Sequence, residues 1–171
     1  VPQRAALLKR TKIAPCYGLQ AVAHAKRHDS GVHDLTPMRF YDAAAAGACI
    51  LGEPPKLESY RRDFDWEDAC FEVSGENGDY LGVVKGLLSD PDRLARASAS
   101  GVAAALTRHD WAYRWRDMLA MAGLTPQPAL DARLQRLKAL EAQVRNSASL
   151  LQSWRTGGRL GETPARAYAV G

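Results

Sequence analysis

One stretch of the sequence constrains the fold more than any other: a capped helix that is followed at once by a buried strand. Thr36-Pro37 has the residues preferred at a helix start, with Thr as the N-cap and Pro at the first helical position. The predicted helix runs through the four alanines 43–46 and ends at Gly47, a residue that terminates helices readily. Residues 48–51, Ala-Cys-Ile-Leu, then predict a buried strand. A helix joined to a short apolar strand is the repeating unit of α/β proteins.

The same alternation extends over the first 124 residues. Two further apolar runs, 13–17 and 70–73, predict one strand before and one strand after strand 48–51 along the sequence. The predicted helices cover residues 3–11, 36–46, 57–63, 78–88, 91–107 and 111–121. This pattern predicts a Rossmann-like α/β fold, an open parallel sheet wound with helices. A complete doubly wound sheet usually has about five or six strands, so three strands predict half of one.

After residue 124 the pattern changes to one long amphipathic helix, predicted for residues 125–155. Its apolar residues follow a heptad-like spacing and include Leu130, Leu134, Leu137, Val144 and Leu151. Such a stripe packs on its own domain or pairs with another chain, so an oligomer contact through residues 129–154 is a second interpretation. Residues 156–171 are rich in Gly, Pro and Arg and predict a flexible tail.

Composition excludes several classes of protein. With 46% hydrophobic and 25% charged residues, the 171-residue chain is globular rather than disordered. Its three cysteines, none in a C-x-x-C pair, argue against a disulfide framework and against structural zinc. No apolar run reaches the roughly 18 to 20 residues of a membrane span, and no signal peptide opens the chain. We therefore expect a reduced, cytoplasmic protein, and the start at Val1 rather than Met predicts a piece of a longer one.

Charge is distributed in blocks along the chain. Residues 1–35 carry six Lys and Arg against two Asp, a net +4, whereas residues 36–80 carry four against ten acidic residues, a net −6. A basic block beside an acidic block indicates a charged cleft or contact. Nucleic-acid surfaces instead combine basic stripes with aromatic residues, a pattern that is missing here. The sequence thus argues against a nucleic-acid partner.

The segment from Asp34 to Asp42 has the strongest chemical signal. It is a loop that enters a helix N-terminus, where the backbone N–H groups of residues 36–39 and the helix dipole favour an anion. Asp42 lies about one and a half turns further along, where its carboxylate could accept hydrogen bonds from a ribose diol. An ordinary capped helix with a solvated Asp42 explains the same residues, and local physics alone leaves both interpretations open.

Four segments in a fixed order then point to a family. Residues 39–47 fit the pattern R-x-(F/Y)-(E/D)-A-x-A-x-G and precede the apolar strand 48–51. The flanking segments are KRTKIAPCY (9–17), LLSDPDRLARASASG (87–101) and RHDWAYRWRDML (108–119). Together they resemble the C-terminal donor-binding domain of GT-B-fold glycosyltransferases, in the group-1-like set that includes CgeB-like proteins. The resemblance covers residues 1 to about 123.

The resemblance implies a glycosyltransferase that binds a nucleotide-diphosphate sugar and transfers the sugar to an acceptor. The related enzymes carry two Glu separated by seven residues, which Asp34 and Asp42 match as Asp. Carried over, Asp34 approaches the donor sugar and Asp42 approaches the ribose hydroxyls as the implied catalytic pair. The implied substrate-binding residues are Tyr17, His33, Leu35, Thr36, Pro37, Met38 and Arg39. The implied scheme needs neither a metal nor a cofactor beyond the sugar donor.

The sequence also departs from the family pattern. Both acids are Asp rather than Glu, and Leu35-Thr36 replaces the usual Phe-Gly. The diphosphate-binding Arg and Lys of the family, and its acceptor-binding domain, would precede Val1. The alternative function is therefore a non-catalytic glycosyltransferase-like module that binds a nucleotide, or that assembles with a partner through its C-terminal helix.

The remaining histidines and cysteines are interpreted without catalytic roles. His24 and His28 are spaced as metal ligands could be, but we interpret them as solvated or near the substrate. His109 precedes the helix-capping Asp110 and is assigned a structural role. The cysteines, Cys16, Cys49 and Cys70, are expected to be small buried apolar residues.

Two other patterns are given structural interpretations. Trp111 and Trp115, one turn apart, are expected to pack on the core rather than to bind sugar. Asp63-Phe-Asp65 has the form of a metal-binding D-x-D motif, but it is interpreted as a solvated turn after a helix.

Overall fold

The computed structural model describes residues 2–17, 35–73 and 78–146. In these ranges three strands alternate with helices, as the sequence predicts. The elements in chain order are α1 (Pro2–Leu8), β1 (Ile13–Tyr17), α2 (Met38–Ala46), β2 (Cys49–Glu53), α3 (Glu58–Asp63), β3 (Phe71–Glu72), α4 (Tyr80–Leu88), α5 (Pro91–Ala104), a π-helical turn (Ala105–His109), α6 (Trp111–Met121) and α7 (Pro128–Asn146).

The three described strands form one parallel sheet in the order β1-β2-β3. Ile13 pairs with Cys49, and Leu51 pairs with Phe71. The predicted open parallel sheet is therefore confirmed, although β3 contains only two residues. Pro15 lies in β1, at one edge of this sheet, where the missing N–H of a proline costs no central ladder hydrogen bond.

Helices cover both faces of the sheet because β2 is apolar on both sides. Ile50 points into one core cluster, and its neighbours Cys49 and Leu51 point into the other. The first cluster contains Phe40, which is 0% exposed, and other residues of α2 and α3. The second contains residues of α4 and α5. A strand buried on both faces between helices is the arrangement of a doubly wound α/β protein.

Gly47 ends α2, as the sequence predicts. Its φ of 76° is left-handed, and its N–H donates to the carbonyls of Ala43 and Ala44. The Ser98 hydroxyl on α5 donates to the Gly47 carbonyl at 2.7 Å. The turn between α2 and β2 is thereby tied to α5, which packs its Gly101 against Ala44.

The long helix α7 packs on its own domain. Leu134 and Leu137 are 8% and 5% exposed and lie against Leu106 and Tyr113. This agrees with the first interpretation of the apolar stripe, and the described part of the stripe is occupied by contacts within the chain. The last part of the predicted helix and the predicted tail, residues 147–171, lie outside the described residues.

Helix α6 corrects one expectation from the sequence. Trp111 and Trp115 do not pack on the core, because they are 68% and 55% exposed. The core contacts of α6 come instead from Ala112 and Tyr113, which lie on the opposite side of the helix and are 3% and 8% exposed. The two tryptophans therefore face outward.

Candidate functional site

The carboxyl edge of the sheet brings together most of the described residues that the sequence singled out. Tyr17 ends β1 and pairs in register with Glu53, which ends β2. The connection that leaves β1 at this edge leads to the N-terminus of α2. The Cys16 thiol donates to the carbonyl oxygen of Arg39 in the first turn of α2, at 3.7 Å. Tyr17 and the start of α2 therefore lie at the same edge, where α/β proteins bind ligands.

The N-terminus of α2 is open and basic. Leu35 and Met38 are 66% and 64% exposed, and Arg39 is exposed as well. The first turn contains no acidic residue. The first N–H groups of a helix have no acceptor within the helix, so those of Met38 and Arg39 are directed outward. Together with the helix dipole and the Arg39 guanidinium, they create a positive potential that favours an anion.

Thr36 is not the N-cap that the sequence predicts. The helix begins at Met38, and the capping position is Pro37, whose extended backbone provides no side-chain cap hydrogen bond. The Thr36 hydroxyl oxygen is buried and has no hydrogen-bond partner within the part of the chain that the structure describes. Pro37 itself has an extended backbone, with φ −61° and ψ 141°, so the first helical residue is Met38 and not Pro37. Thr36 and Pro37 are both half-buried at the base of the helix N-terminus.

Asp42 is neither fully solvated nor free. Its carboxylate pairs with the guanidinium of Arg4 on α1 at 2.7 Å, and its side chain is 38% exposed. Met38 and Asp42, four residues apart, lie on one face of α2, so the carboxylate is one turn from the open helix end. Nothing in the sequence indicated Arg4, because only the packing of α1 against α2 brings the two residues together.

The other predicted acid has no described geometry. Asp34 and His33 lie outside the described residues, as do His24 and His28. The separation between the carboxylates of Asp34 and Asp42 therefore stays a sequence-based expectation.

Tyr80 extends the carboxyl edge and was not indicated by the sequence. Its ring meets that of Tyr17 edge to face, with centroids 6.2 Å apart. Burial and the neighbouring Tyr80 hydroxyl raise the pKa of Tyr17. Gly52 lies beside them with a φ of +150°, and a Cβ there would lie 2.0 Å from the carbonyl oxygen of Cys16. Only glycine permits this close approach of β2 to β1 at the edge.

A half-buried polar network joins α2 to the end of α3. The Tyr41 hydroxyl donates to the Asp63 carboxylate at 2.8 Å, and the Arg62 Nε donates to its other oxygen at 3.1 Å. Burial by itself would raise the pKa of Asp63, but these hydrogen bonds outweigh it and hold the pKa below its ordinary value. Burial and the Asp63 carboxylate raise the pKa of Tyr41 to about 12. Tyr41 is therefore a neutral donor that fastens α2 to the end of α3.

The D-x-D segment belongs to this network, which corrects the solvated turn expected from the sequence. The Asp63 side chain is 14% exposed, and Phe64 is a core residue, 5% exposed. Only Asp65 faces solvent, where it pairs with Arg108 at 2.7 Å. The described residues contain no group of three or more His, Cys, Asp or Glu that could hold a metal ion.

His109 has the structural position that the sequence predicts. Its ring packs among Tyr41, Phe64 and Trp66, with centroid distances of 5.0, 5.6 and 6.5 Å. Both ring nitrogens are buried, and no described group hydrogen-bonds to them. Burial lowers the pKa of His109, although the Asp63 charge opposes this effect.

The thiols are packing residues. Cys16 and Cys49 are buried and Cys70 is half-buried. Burial raises the pKa of Cys16 to about 11, and those of Cys49 and Cys70 to about 12. All three are protonated at neutral pH, so the expectation of inert, apolar cysteines agrees with their surroundings.

No helix in the described ranges combines the length and the apolar character needed to cross a membrane.

Comparison with known proteins gives the family. Neither the curated proteins nor the solved structures include a significant match to the chain. A family model described as glycosyl transferase-like matches residues 2–120, which include the sheet, the open end of α2 and the start of α6. The chain therefore belongs to the glycosyl transferase-like family.

Proposed function

We propose that this domain binds the diphosphate of a nucleotide-sugar donor at the N-terminus of α2 and takes part in transfer of the sugar to an acceptor. The observation that supports the proposal best is the open first turn of α2 at the carboxyl edge. It combines the exposed Arg39 with helix N–H groups that have no acceptor within the helix, and its first turn, Met38 to Tyr41, contains no acidic residue.

The chemistry of transfer explains why such a helix end would help. As the glycosidic bond stretches, negative charge accumulates on the β-phosphate oxygen of the departing nucleoside diphosphate. Fixed N–H donors and a guanidinium stabilise this charge more in the transition state than in the bound donor, which lowers the barrier. In the proposed scheme these groups act without a metal, and Asp34 approaches the sugar.

Asp42 is proposed to hold the ribose of the nucleotide. The ion pair with Arg4 engages one carboxylate oxygen, Oδ2, near the helix end. The other oxygen, Oδ1, is proposed to accept from a ribose hydroxyl. Arg4 thus orients the carboxylate and does not contact the sugar itself.

Calorimetric titration of the protein with UDP and with GDP tests this assignment. We expect Asp42→Ala to weaken the affinity by about 1 to 3 kcal/mol, because charge-assisted hydrogen bonds to the ribose are lost. Asp65→Ala is the matched control, since Asp65 is also an exposed aspartate paired with an arginine at 2.7 Å. Equal nucleotide affinity in Asp42→Ala and the parent would refute the role of Asp42. No binding by the parent itself would refute the donor site.

A further inference from the structure

The outward face of α6 is an exposed apolar surface that the proposed donor site does not use. Trp111, Trp115, Met118 and Met121 are 68%, 55%, 45% and 89% exposed. Spacings of four, three and three residues place them along one side of the helix. Leu124, 58% exposed, continues this α6 stripe just beyond the helix end.

The opposite side of α6 determines that the stripe faces outward. Ala112 and Tyr113 are buried against α7 and the π-helical turn, and the Tyr113 hydroxyl donates to the Leu106 carbonyl at 3.0 Å. Asp110 caps the first turn and also pairs with Arg133 on α7. These anchors prevent α6 from rotating the α6 stripe into the core of its own domain.

The α6 stripe is as large as the largest exposed apolar patches found on monomeric proteins. From the exposed fractions, its five side chains present about 600 Å² of apolar surface, at the upper end of the largest patches on typical monomers. A stable interface buries about 800 Å² on each partner. The α6 stripe provides most of that area, and Trp and Met are residues that interfaces favour.

The order of residues along the α6 stripe suits a second copy of the same chain. The two tryptophans lie in the N-terminal half of α6 and the two methionines in the C-terminal half. A two-fold axis between residues 116 and 117 would place Trp115 of each copy against Met118 of the other. Sulfur–aromatic contacts of this kind are favourable, and a two-fold interface must be self-complementary in this way.

We propose that the α6 stripe is a self-association surface, at which two copies of the chain pack their α6 helices antiparallel. The charges beside the stripe are compatible with this packing. Arg116 and Asp117 pair with each other within one chain at 2.8 Å, so they bring little net charge to the interface. The apolar stripe of α7 does not compete for this role, because Leu134 and Leu137 already pack within the domain.

Sedimentation velocity of the 171-residue chain from about 1 to 100 µM tests the self-association. We expect a species of twice the 18.6 kDa of one chain to form as concentration rises. Met118→Glu should weaken the association by about tenfold or more, because it places a charge in the centre of the interface. Leu81→Glu is the control, since Leu81 is 64% exposed on α4 and lies outside the stripe. Monomer throughout the range, or a dimer that Met118→Glu leaves intact, overturns the proposal.

Mixing two variants tests the antiparallel arrangement. Trp115→Lys and Met118→Glu should each be monomeric alone, and unchanged circular dichroism would show that both are folded. In an antiparallel pair of the two chains, the new Lys faces the new Glu, while the other Trp115–Met118 contact is retained. The mixture should therefore form a heterodimer. Failure of the folded variants to associate on mixing overturns the antiparallel packing.

Discussion

Asp110 joins the start of α6 to α7, and replacing it tests whether these contacts have the strength expected of their geometry. Its Oδ1 accepts from the backbone N–H of Ala112 at 2.9 Å, which caps α6. The same carboxylate receives two hydrogen bonds from Arg133 of α7, at 3.2 and 2.7 Å. Burial opposes ionisation, but the Arg133 pair and the Ala112 N–H outweigh it and lower the pKa of Asp110.

The expected loss in Asp110→Ala follows from these two roles. Removing an aspartate N-cap costs about 1 kcal/mol of stability. The ion pair adds less than its geometry suggests, because the Arg133 side chain is 58% exposed and solvent screens the interaction; about 0.5 to 1 kcal/mol is reasonable for a two-pronged contact. We therefore expect the free energy of unfolding to fall by about 1.5 to 2 kcal/mol.

Urea denaturation followed by circular dichroism measures this loss. Asp90→Ala is the matched control, because Asp90 caps α5 by accepting from the Arg93 N–H at 3.0 Å and should lose only the cap contribution. A double-mutant cycle of Asp110→Ala with Arg133→Met should give a coupling energy of about 0.5 to 1 kcal/mol. A coupling energy of zero, together with equal losses for the two aspartates, would refute the reasoning.

Two further predictions concern single residues in unusual surroundings. Gly52→Ala should lower the free energy of unfolding by about 2 kcal/mol or more. The new Cβ would lie 2.0 Å from the Cys16 carbonyl oxygen, and the φ of +150° at this position disfavours any residue with a side chain. A loss below about 0.5 kcal/mol in urea denaturation would contradict this prediction. Burial lowers the pKa of His109 below its ordinary value of 6.5. At a pH between the two pKa values, the histidine is therefore protonated in the unfolded chain and neutral in the folded chain. The stability that neutral His109 contributes is thus complete above about pH 6.5 and is lost as the pH falls toward the pKa of the folded state. In His109→Phe, the free energy of unfolding should therefore decline less steeply as the pH falls from about 7 to 5. An equally steep decline in the variant would exclude His109 as the cause.

Local pattern was sufficient to predict most of the elements. The run at residues 48–51 and the glycine after the four alanines predicted β2 and the end of α2, because apolar runs and left-handed glycines act over a few residues. Pro15 lies in β1, at one edge of the described sheet, which agrees with the rarity of proline in central strands. The length of β3 was not predictable, since only Phe71 and Glu72 of the four-residue run 70–73 form the strand.

The candidate site was predictable only in outline. The open end of α2 follows from the loop-to-helix sequence, and the position of Tyr17 follows from parallel strands sharing an edge. The prediction that Thr36 caps α2 was wrong, because Pro37, expected to be the first helical residue, has an extended backbone. Arg4 and Tyr80 could not be found, since each reaches the site through contacts between elements that are distant in sequence.

The sequence by itself determined the α/β alternation, the basic helix start near Asp42 and the family to which residues 2–120 belong. These features depend on residue order and on spacing over one or two turns. Tertiary structure alone decided that Arg4 holds Asp42, that Asp63 supports Tyr41 from the interior and that Trp111 and Trp115 face outward. A helix exposes whichever side its neighbours leave uncovered, and the positions of those neighbours depend on contacts across the whole domain.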